Sequence, residues 1–458
     1  MNNDISKLLI KNFIFEGKYY LYDTFTNTLF QIEKEHYIAI EKFKKNGFPK
    51  IEVGTTLSSY EKDILMLKKR GLFASDIVDE IRNPFLEYVE SLLCGAVNDM
   101  TLQVTRMCNF DCRYCLYAGE EGIEREHEEK HMSLDTAYRS IDFLYNHSYD
   151  ANKIIISFYG GEPLLNFELI EKVVAYVRER FFSKTVEFSM TINGSLLSKE
   201  NIDFLVEHRF KLAISLDGPE EIQNKHRKFR NTGRGTFETV MSNVLYLQKN
   251  YPEYFYKYVT FMPVVIDDED YKIVTSFFEN SDIPASNITP LKANLDGVDY
   301  YLSSANNIFN SSGKHIEKAS EGINDDAERS LREMYNRKES ISRTWHHNGQ
   351  CIPGIQRIFV DCSGKLYPCE KIVENDALVI GSLETGFNIS KIKELLSIGL
   401  LSKDRCKKCW AMRFCEICAS LCLNVDSNEL CSLTKEHACK AQEDNAMWIF
   451  KKIIKEGY

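Results

Sequence analysis

The sequence predicts an α/β protein, either an α/β barrel or an open doubly wound sheet, with a small unit before it and a cysteine-rich unit after it. Three observations point there. Between residues 100 and 295, apolar strand-like runs alternate with amphipathic helical runs. The first 80 or so residues carry a hairpin pattern followed by helical patterns. Most of the 14 cysteines fall within residues 346–445. A length of 458 residues suits about three domains.

Residues 1–80 contain "KYYLYD" and "TLFQIE", aromatic and β-branched runs joined by the turn-like "TFTN". "KEHYIAIEKFKKNG" and "SYEKDILMLKKRGLF" then show helical spacing with glycine stops. This order resembles a winged-helix module. Residues 81–99 read as a linker helix and loop, with Cys94 on the apolar face as a core thiol.

Residues 100–299 form the α/β core. Its strand-like runs are "TLQVT", "KIIISFYGG", "EFSMTING", "FKLAISLDG", "YVTFMPVVI" and "NITPL", with helical runs between most of them. Buried parallel strands read as such apolar runs, and chemistry gathers at their C-terminal ends. Residues 300–345 are a polar bridge with one helix, "DDAERSLREMYNRKESI". Residues 346–445 carry the short strands "RIFVD" and "KLYPC" around the turn "CSG", and residues 446–458 close the chain as a helix.

Composition narrows the function. The apolar and charged shares, 44% and 27%, are those of a globular protein. A net charge of −10 with scattered basic residues argues against nucleic acid, and a run such as "HRKFR" reads as a solvated loop. No apolar stretch is long enough to cross a membrane, and the N-terminus lacks the pattern of a secretory signal, which predicts a cytoplasmic protein. In that compartment clustered cysteines are ligands rather than disulfides. Thirteen of the 14 cysteines lie at 108–115 and 351–439.

The first group is "CNFDCRYC", with Cys108, Cys112 and Cys115 directly after the first core strand. Structural zinc takes four ligands, usually from paired C-x2-C elements. A [4Fe–4S] cube held by three thiolates keeps one iron open for an outside ligand. The spacing C-x3-C-x2-C without a fourth cysteine nearby favours the open cluster.

At these residues the sequence resembles the radical S-adenosylmethionine (radical SAM) enzymes, whose signature is C-x3-C-x-aromatic-C, with Tyr114 as the aromatic residue. Further motifs follow in order at the strand ends: Gly160, Gly161, Glu162 and Pro163 ("GGEP"), "TING" through Asn193, "SLDG" with Ser215 and Asp217, and Arg227 in "HRKFRNTGRGTF". The resemblance implies a partial (β/α)6 TIM-like barrel. It also implies a SAM-binding [4Fe–4S] cluster on Cys108, Cys112 and Cys115 as the catalytic centre. "GGEP" would meet the methionine amino group, and Arg227 the cofactor carboxylate. Reductive cleavage of SAM to a 5′-deoxyadenosyl radical is the implied chemistry, with a flavodoxin or ferredoxin as electron donor.

The second group resembles a SPASM domain, the extension of radical SAM enzymes that modify peptides and proteins, with two auxiliary [4Fe–4S] clusters. Its pattern runs Cys351, Gly364, Cys369, then Cys406, Cys409 and Cys415, and ends at Cys439. By resemblance Cys406, Cys409, Cys415 and Cys439 hold the outer cluster. Cys351 and Cys369 hold the inner one, completed by Cys418, Cys422 or both. The sequence departs from the pattern here, because two residues rather than three separate Cys415 from Cys418. Cys362 and Cys431 are the weaker candidates, and a zinc-ribbon-like structural site is the alternative for residues 406–422.

The N-terminal unit resembles the PqqD-like element that captures a leader peptide by strand addition. Together these resemblances imply a maturase of a ribosomally made precursor peptide that forms intramolecular cysteine thioethers, with no nucleic acid or membrane partner. The alternative is an anaerobic sulfatase-maturing, formylglycine-forming enzyme with Glu370 beside Cys369 as a base, or another peptide crosslinking or oxidation.

Overall fold

The computed structural model describes residues 8–46, 48–49, 55–74, 77–115, 128–265, 268–283, 291–292, 325–337, 341–347, 351–372, 374–424 and 426–457. The N-terminal unit is an antiparallel sheet of β1 (Ile10–Phe15), β2 (Lys18–Asp23) and β3 (Thr28–Ile32), followed by α1 (Lys34–Asn46) and α2 (Ser59–Lys69). Asp23 closes the β2–β3 turn by accepting from the Thr26 amide at 2.9 Å and its hydroxyl at 2.8 Å. A capping box between Ser58 and Glu61 starts α2. Strands are followed by two helices, with β1 added to the hairpin that the periodicity singled out.

After β4 (Glu80–Ile81) comes α3 (Val89–Gly95), which buries Val89 and Leu93. Cys94 lies one helical step, about 100°, past Leu93. It is exposed, so the expected core thiol is a surface thiol.

The core alternates as expected: β5 (Asp99–Thr105), β6 (Phe110–Cys112), α4 (Leu134–Asn146), β7 (Lys153–Gly160), α5 (Phe167–Arg180), β8 (Thr185–Ile192), α6 (Lys199–Glu207) and β9 (Lys211–Ile214). It continues with α7 (Glu220–His226), β10 (Arg227–Phe229), α8 (Phe237–Asn250), α9 (Pro252–Tyr258), β11 (Val259–Phe261), β12 (Val264–Val265) and α10 (Asp268–Glu279). β5, β7, β8, β9 and β11 are parallel neighbours in one sheet. β12 pairs in parallel with β13 (Leu291–Lys292), while the rest of the predicted "NITPL" strand lies outside the described residues. Phe210, directly before β9, stacks on Phe158 of β7 at 5.8 Å and on Phe188 of β8 at 5.2 Å.

Of the predicted bridge, α11 (Asp325–Asn336) is described, and residues 293–324 are outside the description. β14 (Thr344–Trp345) pairs with β4. The cysteine-rich region then joins the main sheet. β15 (Ile358–Val360) pairs in parallel with β5, and β16 (Lys365–Tyr367), β17 (Gly381–Ser382) and β18 (Gly386–Phe387) continue it antiparallel, giving nine strands in all.

The chain ends with α12 (Ile389–Leu396), α13 (Lys403–Lys407), β19 (Leu423–Asn424), β20 (Glu429–Leu430) and α14 (Ser432–Lys455). The closing helix therefore begins well before the expected residue 446. Cys431 caps it by accepting from the Thr434 amide at 3.4 Å, and Cys439 sits inside it. No helix among the described residues is long and apolar enough to cross a membrane.

The N-terminal sheet packs on the cysteine-rich region. Phe13, Tyr20 and Tyr22 meet Phe414, Ile449 and Phe450. The buried Arg413 donates to Thr24 O at 2.6 Å and Phe25 O at 3.0 Å, and Thr24 Oγ1 donates to Trp410 O at 2.7 Å.

Candidate functional site

The loop after β5 carries Cys108, Cys112 and Cys115 at the C-terminal edge of the parallel sheet. A small ribbon fixes it there, with β6 and β10 antiparallel and Cys112 opposite Arg227. The run "HRKFR" is thus no solvated loop, since His226 and Arg227 are buried. Burial pushes the Cys108 thiol up to about 12, with Glu162 adding to the effect. It raises Cys112 as well, and Cys115 bears electrostatically on both.

The glycines of "GGEP" let the end of β7 press against this loop. A Cβ on Gly160, at φ +148, would lie 2.0 Å from Thr105 O, and one on Gly161 would lie 2.1 Å from Met107 O. Glu162 follows, its amide donating to Met107 O at 2.8 Å. Its carboxylate accepts from the Asn193 amide at 2.6 Å and the Leu164 amide at 3.1 Å. Complete burial nevertheless pushes that carboxyl up to about 7. Pro163 opens the short helical turn that leads into α5.

Asn193 Nδ2 donates to Asn109 Oδ1 at 2.8 Å and lies 3.9 Å from Cys108 Sγ. Asn109 in turn donates to Ser195 Oγ at 2.9 Å, and Ser195 donates to Asn193 Oδ1 at 2.7 Å. Asn109 and Ser195 were missed in the sequence, although both stand inside or beside quoted motifs. Ser215 is half-buried, its amide bonded to Ile192 O at 2.9 Å.

Asp217 is the hub of the far side. It accepts from Arg227 Nε at 2.9 Å and Nη2 at 3.0 Å, from the Val264 amide at 2.9 Å, and from the Tyr114 hydroxyl. Arg227 Nη1 lies 3.9 Å from Cys112 Sγ. Tyr114, Asp217 and Arg227, all predicted from motifs, are brought together as one buried unit.

The later cysteines fall into two sets. Cys406, Cys409 and Cys439 all bear on Cys415, which burial raises well above the usual thiol range, and Cys409 is pushed up to about 12. Cys418 bears on both Cys351 and Cys369, with Cys369 also pushed up to about 12 by burial. Cys422 is fully buried and feels Cys418, Cys439 and Cys406, so it stands between the sets. Cys362 belongs to neither. It donates to Gln103 O at 3.0 Å in a buried cluster where Glu374 bonds Gln103 and Arg106. Cys431 acts as the helix cap. Glu370 is mostly buried and paired with Arg357 at 2.9 Å.

Strand register separates the sites. Cys369 follows β16, at the level of the Asp99 end of β5, whereas Cys108 follows the Thr105 end. The rise of the strand between those ends is about 20 Å, at ~3.3 Å per residue. Among the described residues no three His, Cys, Asp or Glu converge on a position for a single metal ion. A cubane does not ask for that, because each of its thiolates binds a different iron. Crowded, water-poor thiols fit such a cluster, since coordination removes their protons.

Comparison with known proteins agrees with this geometry. Residues 102–278 match the Radical SAM superfamily, so the chain carries a radical SAM domain. That superfamily uses a [4Fe–4S] cluster and S-adenosylmethionine.

An uncharacterized protein of Methanocaldococcus jannaschii is 35% identical over 159 residues, which cover 35% of this chain and 51% of that protein. A cysteine-type anaerobic sulfatase-maturating enzyme of Clostridium perfringens is 24% identical over 371 residues, 76% of this chain and 94% of the enzyme. The match thus spans about half of the first relative and nearly all of the second. The solved structure of native anSMEcpe with bound AdoMet has the same fold, with a TM-score of 0.58 at 21% identity, covering 78% of this chain and 98% of that one.

Proposed function

We propose that this chain is a radical SAM enzyme that modifies a ribosomally made precursor peptide, forming intramolecular thioethers from its cysteines. The supporting observation is a three-cysteine loop at one end of β5 with a second set of thiols at the other end of the same strand. Cys108, Cys112 and Cys115 would hold a [4Fe–4S] cluster, which when bound supplies the electron that opens the sulfonium of SAM to a 5′-deoxyadenosyl radical.

The chain's own residues orient the cofactor. Asp217 occupies Nε and Nη2 of Arg227. Nη1, 3.9 Å from Cys112 Sγ, would be the donor toward the cofactor carboxylate. Glu162 would lie beside the methionine ammonium, whose charge would hold its carboxylate ionised despite burial. Asn193 and Ser215 stand at the neighbouring strand ends, and the glycines of "GGEP" let the cysteine loop pack against the end of β7.

The inner set, Cys351, Cys369 and Cys418, would hold an auxiliary cluster whose fourth position takes the substrate thiolate. The outer set, Cys406, Cys409, Cys415 and Cys439, would hold the second. The N-terminal sheet would add the leader peptide as a strand. A reduced flavodoxin or ferredoxin would feed electrons in.

The test is anaerobic reconstitution with SAM, a strong reductant and the peptide encoded beside the gene. The expected outcome is 5′-deoxyadenosine together with loss of two hydrogens per link by mass spectrometry. No 5′-deoxyadenosine from fully loaded protein would sink the radical reading. The likeness to a sulfatase-maturating enzyme along 94% of its length supports a second reading, formylglycine formation. An aldehyde on a sulfatase-derived peptide would establish it.

A further inference from the structure

Lys435 is an unusual lysine. It lies in the first turns of α14 with no exposed surface at all. Its ammonium donates to Cys406 Sγ at 3.2 Å and Ser402 Oγ at 2.8 Å. Ser402 Oγ is itself 3.5 Å from the same sulfur. The other polar groups it faces are Cys422, Cys439, His346 and His347. His347 Nε2 lies 3.9 Å from Cys406 Sγ on another side. Among the described residues, no carboxylate forms an ion pair with Lys435.

A buried cation without an anion is strongly disfavoured, so its counter-charge has to be near. The groups at hand are thiols, which become that counter-charge once they ligate metal. A [4Fe–4S] cluster with four cysteinates carries net negative charge, and one-electron reduction adds another without making or breaking a bond. A fixed cation bonded to a ligating sulfur stabilises the reduced form more than the oxidised one. Hydrogen bonds to sulfur and local charge are the levers by which a protein sets such potentials.

We propose that Lys435 tunes the outer cluster, raising its reduction potential through a charged hydrogen bond to the Cys406 thiolate. The outer set then becomes the better electron acceptor, and Lys435 is a positioning residue that acts through Cys406. This inference rests on the outer cysteines holding an iron–sulfur cluster.

The test uses full-length protein reconstituted with iron and sulfide, in a Cys108→Ala/Cys112→Ala/Cys115→Ala background that removes the SAM-site signal. Paramagnetic resonance is followed through a potential titration with dithionite as reductant, for the parent, Lys435→Gln and Lys435→Arg. Lys435→Gln is expected to make one auxiliary signal harder to reduce, lowering its reduced-to-oxidised ratio about tenfold or more at fixed potential, while Lys435→Arg stays near the parent. An unshifted signal in Lys435→Gln with full iron content overturns the proposal.

If Lys435→Gln loses iron that Lys435→Arg keeps, the charge is what the site needs, and the proposal stands. Equal loss in both marks Lys435 as a spacer and overturns it. Zinc in the outer set of the parent is a different failure, because it removes the cluster reading itself.

Discussion

The mouth of the barrel and the cysteine-rich end both gather clustered thiols, and they do so by opposite means. At the mouth, Cys108, Cys112 and Cys115 share one short loop. A parallel sheet, the β6–β10 ribbon and the close approach of Gly160 and Gly161 hold its backbone. At the other end, Cys406, Cys409, Cys415 and Cys439 come from a five-residue helix, tight turns and the long α14. The strands there are no longer than three residues. Backbone hydrogen bonding shapes the first site before anything binds. The second has little regular structure to oppose the crowding of its thiols, so a bound cluster becomes part of its fold.

The widest break between the two sites should come from single cysteines. Cys112→Ala is expected to abolish 5′-deoxyadenosine formation while leaving the melting curve of the loaded protein almost unchanged. Cys409→Ala is expected to lose auxiliary iron and unfold the region after residue 400, read by iron analysis and hydrogen exchange. Equal melting losses from both variants would erase the distinction.

Next in size is Asp217→Ala, which leaves the Arg227 guanidinium buried without its carboxylate. A loss of about 3–5 kcal/mol in urea unfolding is expected for such a broken pair. Asp217→Asn should recover part of it and still weaken SAM binding.

Arg413→Met probes the seam between the N-terminal sheet and the outer cysteine loop. It removes charged hydrogen bonds to Thr24 and Phe25. A cost of about 1.5–3 kcal/mol is expected, with faster amide exchange in the β2–β3 turn. If the N-terminal unit captures a leader, the variant should raise KM for the whole precursor and leave SAM cleavage without peptide unchanged.

The last comparison is by pH. In the cluster-free protein, burial lifts the Glu162 carboxyl from its ordinary 4.5 to about 7. Between those values the folded state binds more protons than the unfolded one, so stability falls as pH rises through the window. Glu162→Gln should flatten that slope in urea titrations between about pH 4.5 and 7.

Much of the barrel was legible because its signals are local. β7 alternates buried Ile154, Ile156 and Phe158 with less buried neighbours, and the helices between strands carry amphipathic spacing. The motif residues of the mouth were legible because strand ends put them there.

The misses have physical causes. β6 and β10 are three residues each, too short for any period to show. The pairing of β15 with β5 joins segments far apart in sequence through apolar residues that could face many partners. Cys94 was misplaced because an apolar helix such as "VESLLCG" does not say which side of Leu93 turns inward. Lys435 gave no signal, since a lysine on a helix reads as solvent-facing until the fold closes over it.

The parallel pairing of β5 with β15 has a consequence of its own. Cys108 hangs from one end of β5, and Cys369 is carried by the hairpin that begins with its neighbour. Their spacing is therefore counted in residues along a hydrogen-bonded ladder, whose register cannot slip by one without sending the buried Ile358, Phe359 and Val360 to the opposite faces of the sheet. A hinge between two domains would let that spacing breathe. Here the sheet serves as a ruler, and any electron passing from the mouth to the far end crosses a gap that the backbone has already measured.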